Sequence, residues 1–359
     1  MPLFRTLVLA AAALCLAAPA LAAETDAKPF RLIGEAPSAK DPAPRRFIVE
    51  GVMKPGDGEF QSTLEGWFAG LDDPAPNGSI DGSCVEKHCA LSLDVDGSKF
   101  ALSGEFGAVA GPTTVRFTVK DDEGKTVQQG PATLRPLTGA VPGLGALAPA
   151  GAIDAAELDT LLVWNHQNTG FGGNDPGDPV GSFQRGAVAD WQKGKGRVGT
   201  GLIFTTDLAE LRADAQAART AAGWTALGDK AHGWSAGYPS ALLPKASRAA
   251  GEQRFASADG KTAVAVAVDP PMTGEVFDAY IAKTTADREG RTGVNYTRVN
   301  GDLQMRYEEK GVVTVVAVHN RENALARLTF TYPVAAADTW SPYEAILQHE
   351  LKVTDDLKR

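Results

Sequence analysis

Between residues 47 and 137, apolar side chains recur at every second position in runs too short for helices. Leu91, Leu93 and Val95 alternate with Ser92 and Asp94, and Val115, Phe117 and Val119 alternate with Arg116 and Thr118. Shorter apolar stretches stand at Phe47-Ile48-Val49, over residues 64–68 and at Phe100-Ala101-Leu102. A period of two turns one face of each run toward a core. Asp96-Gly97 and Glu123-Gly124 break the runs where hairpin turns belong. The pattern predicts an N-terminal all-β domain over residues 47–137. Residues 23–46 mix Pro, Ala and charge without apolar periodicity and read as an extended lead-in.

Residues 138–152 are rich in Gly, Pro and Ala and predict a linker or a loop packed along a surface. Residues 153–230 read as an irregular α/β middle segment. A short helix is predicted over residues 154–164, then a Gly/Asn/Asp/Pro loop over residues 170–181. A clearer helix follows over residues 208–222, where Leu208, Leu211, Ala215, Ala218 and Ala222 share a face. Asp207 with Glu210 supplies its cap and Gly223 its stop.

Residues 231–355 carry the strongest signals. Strands are predicted over 253–257 and 262–268 around Asp259-Gly260, then a helix from about Glu275 that turns Phe277, Tyr280 and Ile281 inward. Residues 296–299, an Asn300-Gly301 turn, the alternating Leu303, Met305 and Tyr307, a Lys310-Gly311 turn and residues 312–318 continue the hairpins. Ala326, Leu328, Phe330 and Tyr332 share one strand face opposite Arg327, Thr329 and Thr331. Ser341, Pro342 and Glu344 predict a capped final helix. Consecutive hairpins with helices at two places predict an antiparallel sheet covered by helices, so the whole reads as a multi-domain α+β protein.

Three segments of this last domain resemble a family: residues 237–244 (GYPSALLP), 253–261 (QRFASADGK) and 330–333 (FTYP) are similar to the PsbP-like α/β/α sandwich, including its bacterial envelope members. The resemblance covers roughly the last 120 residues and implies a binding or accessory domain of a larger assembly, not a catalyst.

The first 22 residues change how all this is read. Arg5, an apolar stretch over residues 7–18 and the small-x-small site Ala20-Leu21-Ala22 predict a cleaved signal peptide, 1–22, and a secreted, periplasmic protein. Cys15 leaves with it, and Leu14 occupies the position where a lipid-attachment box requires a small residue. The formal net charge of −9 becomes one unit more negative when Arg5 is removed, which argues against a nucleic-acid partner. No later apolar run approaches the roughly 18 residues of a membrane span.

Export makes Cys84 and Cys89 the remaining pair, and an oxidising compartment favours a disulfide closing a small loop. The alternative, a metal site of Cys84, His88 and Cys89, lacks a fourth ligand in sequence. No cofactor motif stands out: Gly260-Lys261-Thr262 lacks the earlier glycine of a phosphate loop and reads as a turn entering a strand. Gly233-Trp234-Ser235-Ala236-Gly237 matches the nucleophile elbow of serine hydrolases, with His319 and His349 downstream, yet Pro239 would break the helix that must follow Ser235. The competing expectation is a strand.

Trp164, Asn165 and His166 are side-chain types that bind sugars or amides, and Asn174, Asp175 and Asp178 crowd the loop that follows. Two readings stay open there: a carbohydrate or calcium-dependent ligand platform, or a helix end whose Trp is core. The expected function is therefore that of a non-catalytic envelope binding or assembly protein, its partner an envelope protein or cell-wall component. The alternatives are a hydrolase using Ser235 and a binding module at residues 164–178.

Overall fold

Eight consecutive antiparallel strands, each with an inward apolar row, close the first part of the chain into a barrel. The computed structural model describes residues 28–37, 43–56, 61–72, 76–95, 98–105, 111–149, 151–167, 180–229, 233–249, 251–299, 301–322 and 324–353. The barrel strands are β1 (Lys28–Ala36), β2 (Arg45–Pro55), β3 (Gln61–Gly70), β4 (Asn77–Val85), β5 (His88–Val95), β6 (Ser98–Glu105), β7 (Thr113–Lys120) and β8 (Thr126–Pro136). Each pairs with the next and β1 closes on β8. Residues 1–22, where a signal peptide is predicted, and the predicted Asp96-Gly97 turn lie outside the described residues.

The interior is filled, not hollow. Phe47, Phe68, Phe100 and Phe117 form a chain of rings with successive centroids 5.2, 6.1 and 6.4 Å apart. Leu64, Ile80, Leu91, Leu102 and Leu134 pack around them. A void against Val49, Phe68, Ile80 and Phe117 measures about 10 Å³, room for one water at most. Gly51 and Gly66 oppose each other across β2 and β3. A Cβ on Gly51 would stand 2.3 Å from the Glu65 carbonyl oxygen, and one on Gly66 2.2 Å from that of Glu50, so glycine alone permits this close approach of the strands.

The extended lead-in requires correction: its residues 28–36 are the barrel strand β1. Phe30, Leu32 and Ala36 face the barrel core, while Ile33 faces outward into a second apolar layer. Apolar residues on both faces erase the alternation that marks a strand with one wet face. The domain therefore begins before residue 47.

Residues 138–152, packed along the surface, and the middle segment together cover that outer layer. A small hairpin, β9 (Ala140–Val141) with β10 (Gly145–Ala146), precedes helices α1 (Ala155–Trp164), α2 (Ser182–Gly194) and α3 (Thr205–Ala222). Ile33, Ile48, Trp67 and Ala69 of the barrel's outer face pack with Val141, Leu202 and Phe204. Asp154 caps α1, accepting from the Glu157 amide at 2.7 Å. Asp207 is not the α3 cap: Phe204 holds that position, and the Asp207 carboxylate in the first turn binds Gln192 and Arg197, at 2.7 and 2.6 Å.

The boundary at residue 230 also falls inside a unit, because β11 (Trp224–Asp229) pairs with β12 (Trp234–Pro239), which pairs with β20 (Lys352–Val353). The larger sheet runs in the order β13 (Lys245–Ala249), β14 (Glu252–Ala256), β15 (Ala263–Asp269), β19 (Leu325–Pro333), β18 (Val312–Asn320), β17 (Asp302–Glu309), β16 (Arg291–Val299). Helix α4 (Gly274–Thr285) covers one face through Phe277 and Ile281. The small sheet, a 3-10 turn (Val334–Ala336), α5 (Ala337–Trp340) and α6 (Pro342–Glu350) cover the other. Ser341 does not cap α6 with its side chain, because α5 already holds it in helical conformation (φ −58°, ψ −32°). Glu344 is thereby released to receive the hydroxyl of the buried Tyr332 and the Arg306 guanidinium. The α+β class and the antiparallel C-terminal sheet stand as predicted. Among the described residues, no helix is long and apolar enough to cross a membrane.

Candidate functional site

A cleft of about 960 Å³ lies between the outer barrel face and the helical segment, within the size range of small-molecule sites. Strand register builds its floor. Arg31, Glu50, Trp67 and Ser79 are successive cross-strand partners from β1 to β4, all outward. A second row two residues along is Pro29, Val52, Glu65 and Asp81. Ala148, Pro149, Ile153, Val180, Arg185 and Ile203 form the opposite wall.

The floor is charged unevenly. Glu50 accepts from Arg31 on its own sheet and from Arg185 on α2, each at 2.6 Å. Two guanidiniums therefore share one carboxylate, a local net charge of +1. Arg31 also donates to the Ala148 carbonyl at 2.8 Å. Arg185, 15% exposed, spends one N–H group on Glu50 and meets no other polar partner among the described residues. A guanidinium carries five donors, so this one has donors to offer a ligand. At the other end Glu65 pairs with Lys54 at 2.7 Å, whereas its cross-strand neighbour Asp81 makes no ion pair among the described residues. Like charges directly opposite on a sheet repel, and Lys54 offsets only one of the two, so this end keeps a net charge of −1.

Buried hydrogen bonds tie the wall to the barrel. Trp67 donates to the Thr200 carbonyl at 2.8 Å. Gln192, buried on α2, accepts from the amides of Thr200 and Gly201 and donates to the Leu202 carbonyl.

The residues singled out in the sequence lie elsewhere. Trp164 is 2% exposed, with its indole N–H on Glu350 at 2.9 Å, its edge against Trp224 and Arg219 over its ring. It offers no open face for a sugar. Asn165 caps α1, donating to the carbonyls of Leu161 and Leu211, and His166 is exposed just beyond. Asn174, Asp175 and Asp178 lie outside the described residues.

Ser235 sits in mid-strand on β12, exposed, opposite Gly228 and Lys352, where an elbow would require a sharp strand-to-helix turn. Gly237 has a packing reason: a Cβ there would come within 2.4 Å of the Trp224 ring. His349 is engaged by Thr160 and His319 by Asp302. Burial lowers the pKa of both imidazoles. Cys84 and Cys89 form a disulfide across β4 and β5, Cα atoms 4.0 Å apart, which occupies both sulfurs.

No family model and no curated protein matches the chain. Among solved structures, that of cyanobacterial PsbP (CyanoP) from Synechocystis is similar over 36% of this chain and 92% of its own, at 11% identity and a TM-score of 0.28.

Proposed function

We propose that this chain is exported through a leader at residues 1–22 and works in a bacterial periplasm as a non-catalytic binding or assembly protein of the cell envelope. Its ligand or partner seats in the cleft between barrel and helices. The observation that carries this reading is the cleft itself, a large concavity whose floor comes from four neighbouring strands and whose far wall is the start of α2 with the loop residues beside it, with Arg185 keeping donors unspent among the described residues. The buried Cys84–Cys89 disulfide supports an oxidising compartment. The resemblance of segments 237–244, 253–261 and 330–333 to PsbP-like domains supports reading the C-terminal domain as an accessory module.

Site-specific photo-crosslinking tests it on the full chain expressed with its leader. A benzoylphenylalanine in place of Ser79, exposed in the cleft, should capture a defined envelope component; the same group in place of Val276, exposed on α4, should not. Equal labelling from both positions, or none from Ser79, removes the cleft as the binding surface.

A further inference from the structure

The two charged poles of the cleft are fixed to one sheet, so their separation specifies what can bridge them. The positive pole is centred on Glu50 over β2, where Arg31 and Arg185 converge. The negative pole lies over β3 and β4, one row along: Asp81, beside a Glu65 that Lys54 already pairs, for a local net charge of −1. From Glu50 to Asp81 is two strand spacings of about 4.8 Å and a step of about 6.7 Å along the strands, or about 12 Å in all. Between them lie Val52 and the edge of Trp67, with Ile203 and Val180 nearby.

Resting on the binding reading above, we infer that the cleft takes a short free peptide in extended form. The terminal carboxylate docks on Arg185 and Arg31, and the terminal ammonium on Asp81, the carboxylate without an ion pair among the described residues. The length follows from reach: an extended chain advances about 3.3–3.6 Å per residue, so about four residues span the poles. A free amino acid, whose two charged groups are attached to one carbon, spans only a fraction of that distance. The arginine fork suits a carboxylate because both are planar and pair through two parallel hydrogen bonds. The apolar surface between the poles favours aliphatic side chains at the central positions. A folded partner's C-terminal tail supplies the carboxylate but no ammonium at the right distance, so it is the weaker ligand.

Calorimetric titration of the whole protein tests this with Ala-Leu-Leu-Ala bearing both free termini, its C-amidated form, its N-acetylated form and L-alanine. The free tetrapeptide should bind, each blocked form at least tenfold more weakly, and alanine not measurably. Asp81→Asn, a change at an exposed position that removes no side-chain hydrogen bond among the described residues, should leave the melting temperature unchanged and abolish the penalty of N-acetylation. Arg185→Lys, which keeps the charge and loses the fork, should weaken the free peptide and leave the amidated one unaffected. Absence of tetrapeptide binding, equal binding of free and blocked forms, or an unchanged acetylation penalty in Asp81→Asn overturns the peptide assignment. If Ser79 crosslinking still succeeds in that case, the binding surface stands and only its ligand class falls.

Discussion

The indole of Trp67, on the outer face of the barrel, donates to the backbone carbonyl of Thr200 at 2.8 Å, joining two parts of the chain 133 residues apart. Both residues are buried, and Gln192 fixes the Thr200 loop from behind. Trp67→Phe keeps most of the apolar contact but strands the carbonyl. A buried acceptor left unpaired costs roughly 1–3 kcal/mol. Thermal melting should register a loss of that size, and hydrogen exchange should rise at residues 199–204 before it rises in the barrel. A loss below about 0.5 kcal/mol would mean the bond contributes nothing net.

Glu50 ties Arg31 of the barrel to Arg185 of α2, and its removal should cost more than removal of either arginine. Glu50→Gln leaves two cations facing each other at a partly desolvated site. Breaking a buried pair costs roughly 3–5 kcal/mol, and the partial exposure here lowers the expectation to about 2 kcal/mol. Arg185→Gln leaves Glu50 paired with Arg31, so about 1 kcal/mol is expected. Urea unfolding of both variants gives the order, and the reverse order would contradict the shared-carboxylate geometry.

Local patterning was legible in the sequence because half-buried strands and punctuated helices write their faces into the chain. The hairpins of β14 to β19 and the Ala326 to Tyr332 face follow directly from period two. The cleft was not legible. Arg31, Glu50, Trp67 and Asp81 become neighbours only when strand register aligns them, and β1 was hidden because Ile33 on its outer face is as buried as Leu32 on its inner one. The signal available in retrospect was the pair Arg31 and Glu35 in an otherwise apolar run, charges at the outward positions of a strand. Trp164 shows the converse: a residue type suited to ligands became core because Glu350, 186 residues away, supplies its hydrogen-bond partner.

Reducing the Cys84–Cys89 bond should loosen one hairpin and spare the barrel. The bond closes a turn in which Glu86 adopts a left-handed conformation (φ 57°), a strained choice for a residue with a side chain. A loop of about five residues removes only about 2 kcal/mol of chain entropy from the unfolded state. Cys84→Ala/Cys89→Ala should therefore lower stability by about 2 kcal/mol, with barrel circular dichroism retained. Loss of the barrel signal at room temperature would show that the disulfide holds the domain and not merely the turn.

The contact between α1 and α6 should fail first on acidification. Thr160 spends its hydroxyl proton on the Ala156 carbonyl at 2.9 Å, so toward His349, also at 2.9 Å, it can only accept. His349 must then donate from Nε2, leaving Nδ1 unprotonated in a neutral ring. Burial, then Lys352 and Arg219, outweigh Glu350 and depress its pKa from 6.5 to about 4. The sign follows from which state takes the proton first. Above about pH 6.5 neither state is charged at this site and there is no penalty. Between pH 6.5 and 4 the unfolded chain protonates while the folded one resists, so stability falls as pH falls; below about 4 the loss levels off. At 1.36 kcal/mol per pKa unit the loss at this site is at most about 3 kcal/mol. His349→Gln retains an N–H donor for Thr160 and has no titration. The stability difference between wild type and this variant, measured by urea unfolding at pH 7 and at pH 4.5, should shift by about 2–3 kcal/mol in the variant's favour at the lower pH. A difference that does not change with pH would place the acid sensitivity elsewhere, with His319 beside Asp302 the next imidazole to replace.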